Sequence, residues 1–128
     1  MDRLDFHLPA GPRAAHDARH QILGANGSIP ELARQDILLL VTELVTNAVR
    51  HGAAGACDQL GVRVLICPAR LRVEVRDRGN GFEPRSADPA SADGGGWGLV
   101  LVEELSDRWG VLREEDGTVV WFEYGLPG

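Results

Sequence analysis

The stretch SIPELARQDILLLVTELVTNAVRHG, from Ser28 to Gly52, decides the fold because it predicts one long amphipathic helix. Ser28 suits an N-cap, with Pro30 in the first turn and Glu31 three residues after the cap. The helix is predicted to run to about His51 and to end at Gly52. Its apolar residues recur at three- and four-residue steps, so they form one stripe that must be buried against another layer. They are Ala33, Ile37, Leu40, Val41, Leu44, Val45 and Ala48.

Segments in which polar and apolar residues alternate lie on both sides of this helix and predict strands. A second helix is predicted before the long one, with an apolar stripe of Ala14, Ala15, Ala18, Ile22 and Leu23. In chain order the predicted elements are a strand at 3–8, a helix from 13 to about 23, the long helix, strands at 62–67 and 71–77, a short helix at 98–106 and strands at 109–112 and 118–124. This order predicts a two-layer α+β sandwich. At 128 residues, the chain fits a single domain over 1–128.

The charge of the chain excludes several function classes. The formal net charge is −6, which disfavours a nucleic-acid surface because such domains usually carry a basic patch. All 13 basic residues are arginine, so a Walker A phosphate loop and a protein-kinase lysine are both excluded. A nucleotide would have to be bound with glycine amides, a metal ion and arginine.

The sequence predicts a cytoplasmic protein that does not cross a membrane. The longest apolar run, Ile37 to Val41, falls far short of the roughly 18 to 20 residues that span a bilayer. The first residues lack the basic start and apolar stretch of a signal peptide. Cys57 and Cys67 are ten residues apart without a CxxC pair, which favours two reduced, partly buried cysteines over a zinc site or a disulfide.

Glu43 and Asn47 form the first candidate pair for chemistry, because residues four apart share one face of a helix. An amide oxygen can ligate Mg²⁺, which prefers oxygen ligands. A carboxylate can orient or deprotonate an attacking hydroxyl group. Taken alone, the pair is more simply interpreted as part of a solvated helix face.

Two glycine-rich motifs follow later in the chain. DRGNGF, residues 77–82, comes after a predicted strand and is either a plain turn or a site where Asp77 accepts a hydrogen bond from the amine of a base. GGGWGL, residues 94–99, opens the short helix and is either a hinge or an anion site made of free backbone N–H groups. Each motif is weak evidence by itself.

Together these motifs resemble those of the GHKL ATPase and kinase superfamily. ELVTNAVRHG (43–52) resembles its N-box, DRGNGF (77–82) its DxGxG box, GWGL (96–99) its GxGL box, and GT (117–118) its late GT element. They occur in the family's order and at compatible spacing, and the resemblance covers nearly the whole chain. It implies a mixed, mostly antiparallel sheet covered on one face by helices, which binds ATP with Mg²⁺.

The resemblance also assigns roles to individual residues. It implies that Asn47 ligates Mg²⁺, that Asp77 binds the adenine amino group, and that Thr118 supports that contact through water. Glu43 would activate a substrate serine hydroxyl. The remaining implied nucleotide contacts are Gly79 and Gly81 at the adenine, Gly96 and Gly98 at the phosphates with Leu99 completing their motif, and a mobile lid at about 82–95.

Within the superfamily, the chain is similar to stand-alone anti-sigma-factor serine/threonine kinases. It is short and begins with a strand followed by a helix rich in alanine and arginine. The resemblance implies that Arg19 contacts a partner, that an anti-anti-sigma-type protein is phosphorylated on serine, that a sigma factor is bound, and that the chain forms a homodimer. Two alternatives stay open: a nucleotide-gated interaction module with little kinase activity, and a detached histidine-kinase domain. Arg85 is the only basic residue in the expected lid, which favours the interaction module.

Overall fold

A computed structural model describes residues 2–24, 29–51, 59–77, 97–114 and 117–126. These residues form an α+β fold of two layers, one a sheet and the other made of helices. In chain order the elements are β1 (Asp2–Pro9), α1 (Ala14–Gly24), α2 (Glu31–His51), β2 (Gln59–Ile66), β3 (Arg70–Asp77), α3 (Trp97–Leu105), β4 (Arg108–Glu114) and β5 (Gly117–Gly125). No helix within the described ranges is both long enough and apolar enough to span a bilayer.

The sheet has the strand order β1-β2-β3-β5-β4, and every neighbouring pair in it is antiparallel. Two of these pairs, β2–β3 and β4–β5, join strands that are consecutive in the chain. The sequence predicted a strand that begins at residue 62, but β2 begins at Gln59. Pairing with β1 explains the difference, since Leu60 lies opposite Leu8 and Gln59 opposite Pro9. This partner strand lies some fifty residues away in the chain, so a local pattern does not reveal it.

The core lies between one face of the sheet and α2. All seven residues of the predicted α2 stripe are buried, each at most 1% exposed. Alternate residues of the central strands pack against this stripe from the sheet, among them Val64, Val73 and Phe122. Strand side chains point alternately to the two faces, so the other face carries the polar residues. The helices thus cover one face of the sheet, as the resemblance implied.

The two long helices differ from prediction at their ends. In α1, Ala14, Ala18 and Ile22 are buried, whereas Leu23 is 40% exposed, so the buried stripe is narrower than predicted. Helix α2 begins at Glu31, and the Ala33 N–H donates to the Pro30 carbonyl at 3.1 Å. The predicted N-cap, Ser28, lies outside the described residues.

The sheet face opposite the described helices carries an arginine-rich network around Glu123. The Glu123 carboxylate lies 3.0 Å from Arg72, 3.5 Å from Arg70 and 3.8 Å from Arg108. The Arg72 guanidinium also lies 4.1 Å from the centroid of the Trp121 ring, which is a cation–π contact. Trp121 in turn covers Gly110, because a Cβ at position 110 would lie 2.9 Å from the indole ring.

We expect Gly110→Ala to lower the free energy of unfolding by about 1–2 kcal/mol, because the new methyl group would displace a ring held by Arg72. Gly61→Ala is the matched control on the same sheet face. A Cβ at Gly61 meets its nearest neighbour, His7, at an ordinary 3.7 Å. Urea denaturation of the two variants tests this, and equal stability of both would contradict the packing of Trp121 on Gly110.

A hydrogen bond joins α2 to the far end of β5. The Tyr124 hydroxyl donates to Asp36 Oδ2 at 2.7 Å. This bond to a carboxylate, together with burial and the nearby charges of Asp36 and Asp107, raises the pKa of Tyr124 to about 12. The bond therefore stabilises the fold as long as the hydroxyl keeps its proton.

This raised pKa predicts a loss of stability at alkaline pH. The folded-state pKa lies above the unfolded value of about 10, so the contribution is complete below pH 10 and is lost as the pH rises toward 12. Tyr124 is the only tyrosine, so absorbance of the phenolate at alkaline pH follows this one group. Native protein should titrate near pH 12 and urea-unfolded protein near pH 10, whereas identical curves would contradict the hydrogen bond.

Candidate nucleotide-binding site

Two buried polar side chains lie side by side where β3 ends and β5 begins. Asp77 is the last residue of β3, Thr118 is the second residue of β5, and the two pair directly across the ladder. Each is only 1% exposed. Both point to the sheet face covered by helices, since they continue the series of buried residues at 73, 75, 120 and 122.

The third buried polar residue is Asn47 on α2, at 4% exposure. Its side-chain Nδ2 donates to the Glu43 carbonyl at 2.8 Å. A carbonyl can only accept, so this contact identifies the amide nitrogen and leaves the amide oxygen turned away from the helix backbone. Asn47 therefore presents an oxygen acceptor inside the protein, from a helix that packs on β3 and β5.

Among the residues that the structure describes, Asn47, Asp77 and Thr118 are the three buried polar side chains. Burial of a polar group costs roughly 1–3 kcal/mol unless hydrogen bonds compensate it. In an interior that is otherwise apolar, the buried polar groups therefore lie on one helix and on two paired strands. The three are the residues that the sequence motifs assign to Mg²⁺ and adenine.

Glu43 lies one turn before Asn47 and is half-buried. Its position on the same helix face agrees with the predicted spacing, and its partial exposure lets a group from outside the protein reach the carboxylate. Asn47 is therefore the inner residue of this pair, and Glu43 is the outer residue, which is accessible from outside the protein.

The glycine motifs are only partly described. Gly79, Gly81, Gly96 and the expected lid at 82–95 lie outside the described residues. Gly98 lies in the first turn of α3, which begins at Trp97, and Leu99 follows it. The glycine run therefore leads into a helix N-terminus, whose first turn carries no acidic residue. Free N–H groups and the positive end of the helix dipole favour an anion at this place.

Arg19, predicted to contact a partner, is half-buried and bonded within the chain. Its guanidinium donates to Thr42 Oγ1 at 3.0 Å, and that hydroxyl donates to the Leu38 carbonyl at 2.7 Å. The bond ties α1 to α2 one residue before Glu43. Thr42 was not singled out from the sequence, because a lone threonine in a helix has no signal that reveals a partner 23 residues away.

The buried polar residues offer one side-chain oxygen of the kind that a magnesium–nucleotide complex uses. No group of three or more His, Cys, Asp or Glu side chains that could hold a metal ion occurs among the described residues. Mg²⁺ commonly binds through one or two protein oxygens together with phosphates and water. The amide oxygen of Asn47 can supply one such protein ligand.

Comparison with known families gives a match to the histidine kinase-like ATPase domain over residues 8–124. The chain belongs to this family. The match runs from the end of β1 to the end of β5, so all three buried polar residues lie within it.

Within the family, the chain is similar to serine-protein kinases called RsbW. It is 30% identical to RsbW of Listeria monocytogenes serovar 1/2a over 137 aligned positions, covering 96% of this chain and 87% of the relative. It is 28% identical to RsbW of Staphylococcus epidermidis, covering 97% of this chain and 87% of the relative. These similarities make the chain a homologue of the serine-protein kinases.

Solved structures share the fold. The RsbU and RsbW domains of Rv1364c from Mycobacterium tuberculosis align with a TM-score of 0.73 at 24% identity, over 98% of this chain and 33% of that one. The catalytic domain of the histidine kinase ThkA aligns with a TM-score of 0.60 at 17% identity, over 98% of both chains. At these identities the likeness establishes the GHKL architecture.

We expect Asn47→Asp to lower the free energy of unfolding by about 1–3 kcal/mol at pH 7, because a carboxylate would face the Glu43 carbonyl without a proton to donate. Burial raises the pKa of the new carboxyl above its unfolded value of about 4, so the lost stability should be regained as the pH falls toward 4. Denaturation at pH 7 and pH 4 tests this. Asp36→Asn, an acid–amide exchange on the same helix, is the control. A loss of stability in Asn47→Asp that does not depend on pH would contradict the orientation of the Asn47 amide.

Proposed function

We propose that this chain binds Mg-ATP and transfers the γ-phosphoryl group to a serine of a protein partner. The observation that supports this best is the identity of the three buried polar side chains, Asn47, Asp77 and Thr118. A fold without a ligand at this place would gain stability from apolar residues there. Homology to serine-protein kinases supports serine, rather than histidine, as the acceptor.

The adenine would bind at the paired ends of β3 and β5. An ionised Asp77 can only accept hydrogen bonds, which suits the exocyclic amine of adenine. Thr118 lies directly opposite and can both donate and accept, so it can hold a water between itself and the base. Gly79 and Gly81 are proposed to allow the base to approach the backbone.

The phosphates would lie between α2 and the N-terminus of α3. Asn47 is proposed to hold Mg²⁺ through its amide oxygen, and the bound ion would neutralise phosphate charge. Gly96 and Gly98, with Leu99, are proposed to present backbone N–H groups to the phosphate oxygens. With no lysine in the chain, these dipoles and the ion would have to balance the charge that kinases with a Walker or β3 lysine offset with an ammonium group.

Glu43 is proposed to act as the general base. Its half-exposed carboxylate would accept the proton of the serine hydroxyl as the serine oxygen forms its bond to the γ-phosphorus. The bond between the γ-phosphorus and the β,γ-bridging oxygen breaks at the same time, and ADP leaves with those electrons. The products are phosphoserine, ADP and a protonated Glu43, which releases its proton to water.

The partner is proposed to be an anti-anti-sigma-type protein, with a sigma factor as the competing ligand. Arg19 is proposed to contribute to that surface. Its bond to Thr42 places it on the helix pair that also carries Glu43, so a partner bound there would lie near the proposed base.

The second candidate is an interaction module whose partner affinity depends on nucleotide but which transfers little phosphate. The observation that favours it is Arg85, the only basic residue in the proposed lid at 82–95. Phosphoryl transfer requires compensation of charge around the γ-phosphate, and one arginine supplies little of it. This candidate predicts the same nucleotide binding and no phosphoserine.

We expect calorimetric titration to show saturable ATP binding that Mg²⁺ strengthens and that Asp77→Asn weakens at least tenfold, because the amide group would offer a donor where the adenine amine also donates. Glu43→Gln should keep the affinity for Mg-ATP. With an anti-anti-sigma-type protein of the same organism and labelled ATP, Glu43→Gln should lower the transfer rate by about 10²–10⁴-fold.

The two assays separate the candidates. No ATP binding at millimolar concentration would exclude both the kinase and the nucleotide-gated module. Binding without phosphoserine formation by the unchanged chain would leave the module. Transfer at an undiminished rate by Glu43→Gln would remove Glu43 as the base, and an acid-labile product would identify phosphohistidine chemistry instead.

A further inference from the structure

One face of α2 carries the proposed ligand residues and also a residue that is hydrogen-bonded to the sheet. We call this hydrogen bond the anchor. Asp36, Glu43 and Asn47 are spaced by seven and four residues. At 3.6 residues per turn, Asp36 and Asn47 lie about three turns apart and within about 20° of each other around the helix axis. Whatever fixes the direction of Asp36 therefore also fixes the direction of Glu43 and Asn47.

Asp36 is held by the sheet itself. The Tyr124 hydroxyl donates to its carboxylate at 2.7 Å, and both residues are half-buried. Tyr124 lies near the end of β5, and Thr118 lies near its start. The anchor is thus at the opposite end of the strand from the proposed adenine site.

Two distances measured from the anchor, one along β5 and one along α2, are similar. From Tyr124 back to Thr118 is six residues of strand, which spans about 20 Å. From Asp36 to Asn47 is eleven residues of helix, which spans about 16 Å. For a helix that packs on β3 and β5 and runs along β5, an anchor at Asp36 and Tyr124 would bring Asn47 to within about one helical turn of the level of Thr118 and its ladder partner, Asp77.

Much of the contact surface of α2 is aliphatic. Ile37, Leu40, Val41 and Leu44 are completely buried against the layer below. Aliphatic packing is strong, but it has little directionality, so small rotations and shifts of a helix cost less there than they do at a hydrogen bond. A hydrogen bond to a carboxylate sets both a distance and a direction.

We propose that the Tyr124–Asp36 hydrogen bond is a positioning contact that sets the register and rotation of α2 on the sheet, and so places Asn47 and Glu43 against a nucleotide held by Asp77 and Thr118. This inference rests on the proposed function. It makes Tyr124 and Asp36 positioning residues, since they act through Asn47 and Glu43 at the other end of the helix.

The proposed site is built in two parts, one on the sheet and one on the helix. Asp77 and Thr118 belong to the sheet, where the β3–β5 ladder holds them whatever the position of α2. Asn47 and Glu43 belong to the helix. Loss of the anchor should therefore weaken the magnesium-dependent part of ATP binding and leave the adenine-dependent part unchanged.

The test measures ATP affinity calorimetrically in Mg²⁺ and in EDTA, for the unchanged chain and for Tyr124→Phe. We expect the ratio of the two affinities to fall about tenfold in Tyr124→Phe, the size typical for loss of a group that orients a metal ligand. The affinity in EDTA should not change. Asp36→Ala should behave like Tyr124→Phe, and the double variant should be no worse than either single one.

Two further variants separate positioning from stability. Asp36→Asn keeps an oxygen acceptor for the Tyr124 hydroxyl and should restore most of the ratio that Asp36→Ala loses. Leu71→Val removes one buried methylene group from the residue paired with Tyr124, so it lowers stability at the same end of the sheet without touching the anchor. It should leave the ratio unchanged.

The outcomes distinguish this inference from the function on which it rests. If the unchanged chain binds Mg-ATP and Tyr124→Phe keeps the same ratio, the positioning role is wrong while the proposed function stands. The same conclusion follows if Tyr124→Phe and Leu71→Val lower both affinities equally, because that result reports stability alone. If the unchanged chain binds no ATP, the proposed function and the inference fall together.

Discussion

The structure depends on the burial of the α2 apolar stripe against one face of an antiparallel sheet. Residues such as Leu40 and Leu44 have no exposed surface, and the strands supply matching residues such as Val73 and Phe122. Because one helix and one sheet face bury each other, α1 and α3 are packed at the sides of α2. The outer face of the sheet is left to charged residues, which pair among themselves around Glu123.

The same layer contains the polar groups that oppose its stability. Asn47, Asp77 and Thr118 interrupt an interior that is otherwise apolar in the described part of the chain. Asn47 is bonded locally, since its side chain donates to the Glu43 carbonyl. These three residues are the ones on which the proposed nucleotide site is built, in a chain that belongs to a family of ATPase domains.

Much of the fold could be predicted because each helix and strand leaves a pattern among residues that are neighbours in the sequence. The period of α2 and the alternation in 71–77 depend on neighbouring residues, so a pattern reveals them. The predicted strand bounds and buried residues were wrong where a segment remote in the sequence determines the local structure. Leu60 joins β2 because Leu8 pairs with it, and Leu23 is exposed because α1 buries a stripe only as wide as its contact with α2.

For the candidate site, the sequence alone determined the residue types and their spacing, including Glu43 with Asn47 on one helix face and a glycine run before a helix N-terminus. Only the tertiary structure decided which groups face each other. The pairing of Asp77 with Thr118, the bond from Arg19 to Thr42 and the bond from Tyr124 to Asp36 join residues on different elements, the last two across 23 and 88 residues of chain. The physical reason is that helix and strand periods arise from contacts between near neighbours, whereas the register of α2 on the sheet arises from packing between layers that are remote in sequence.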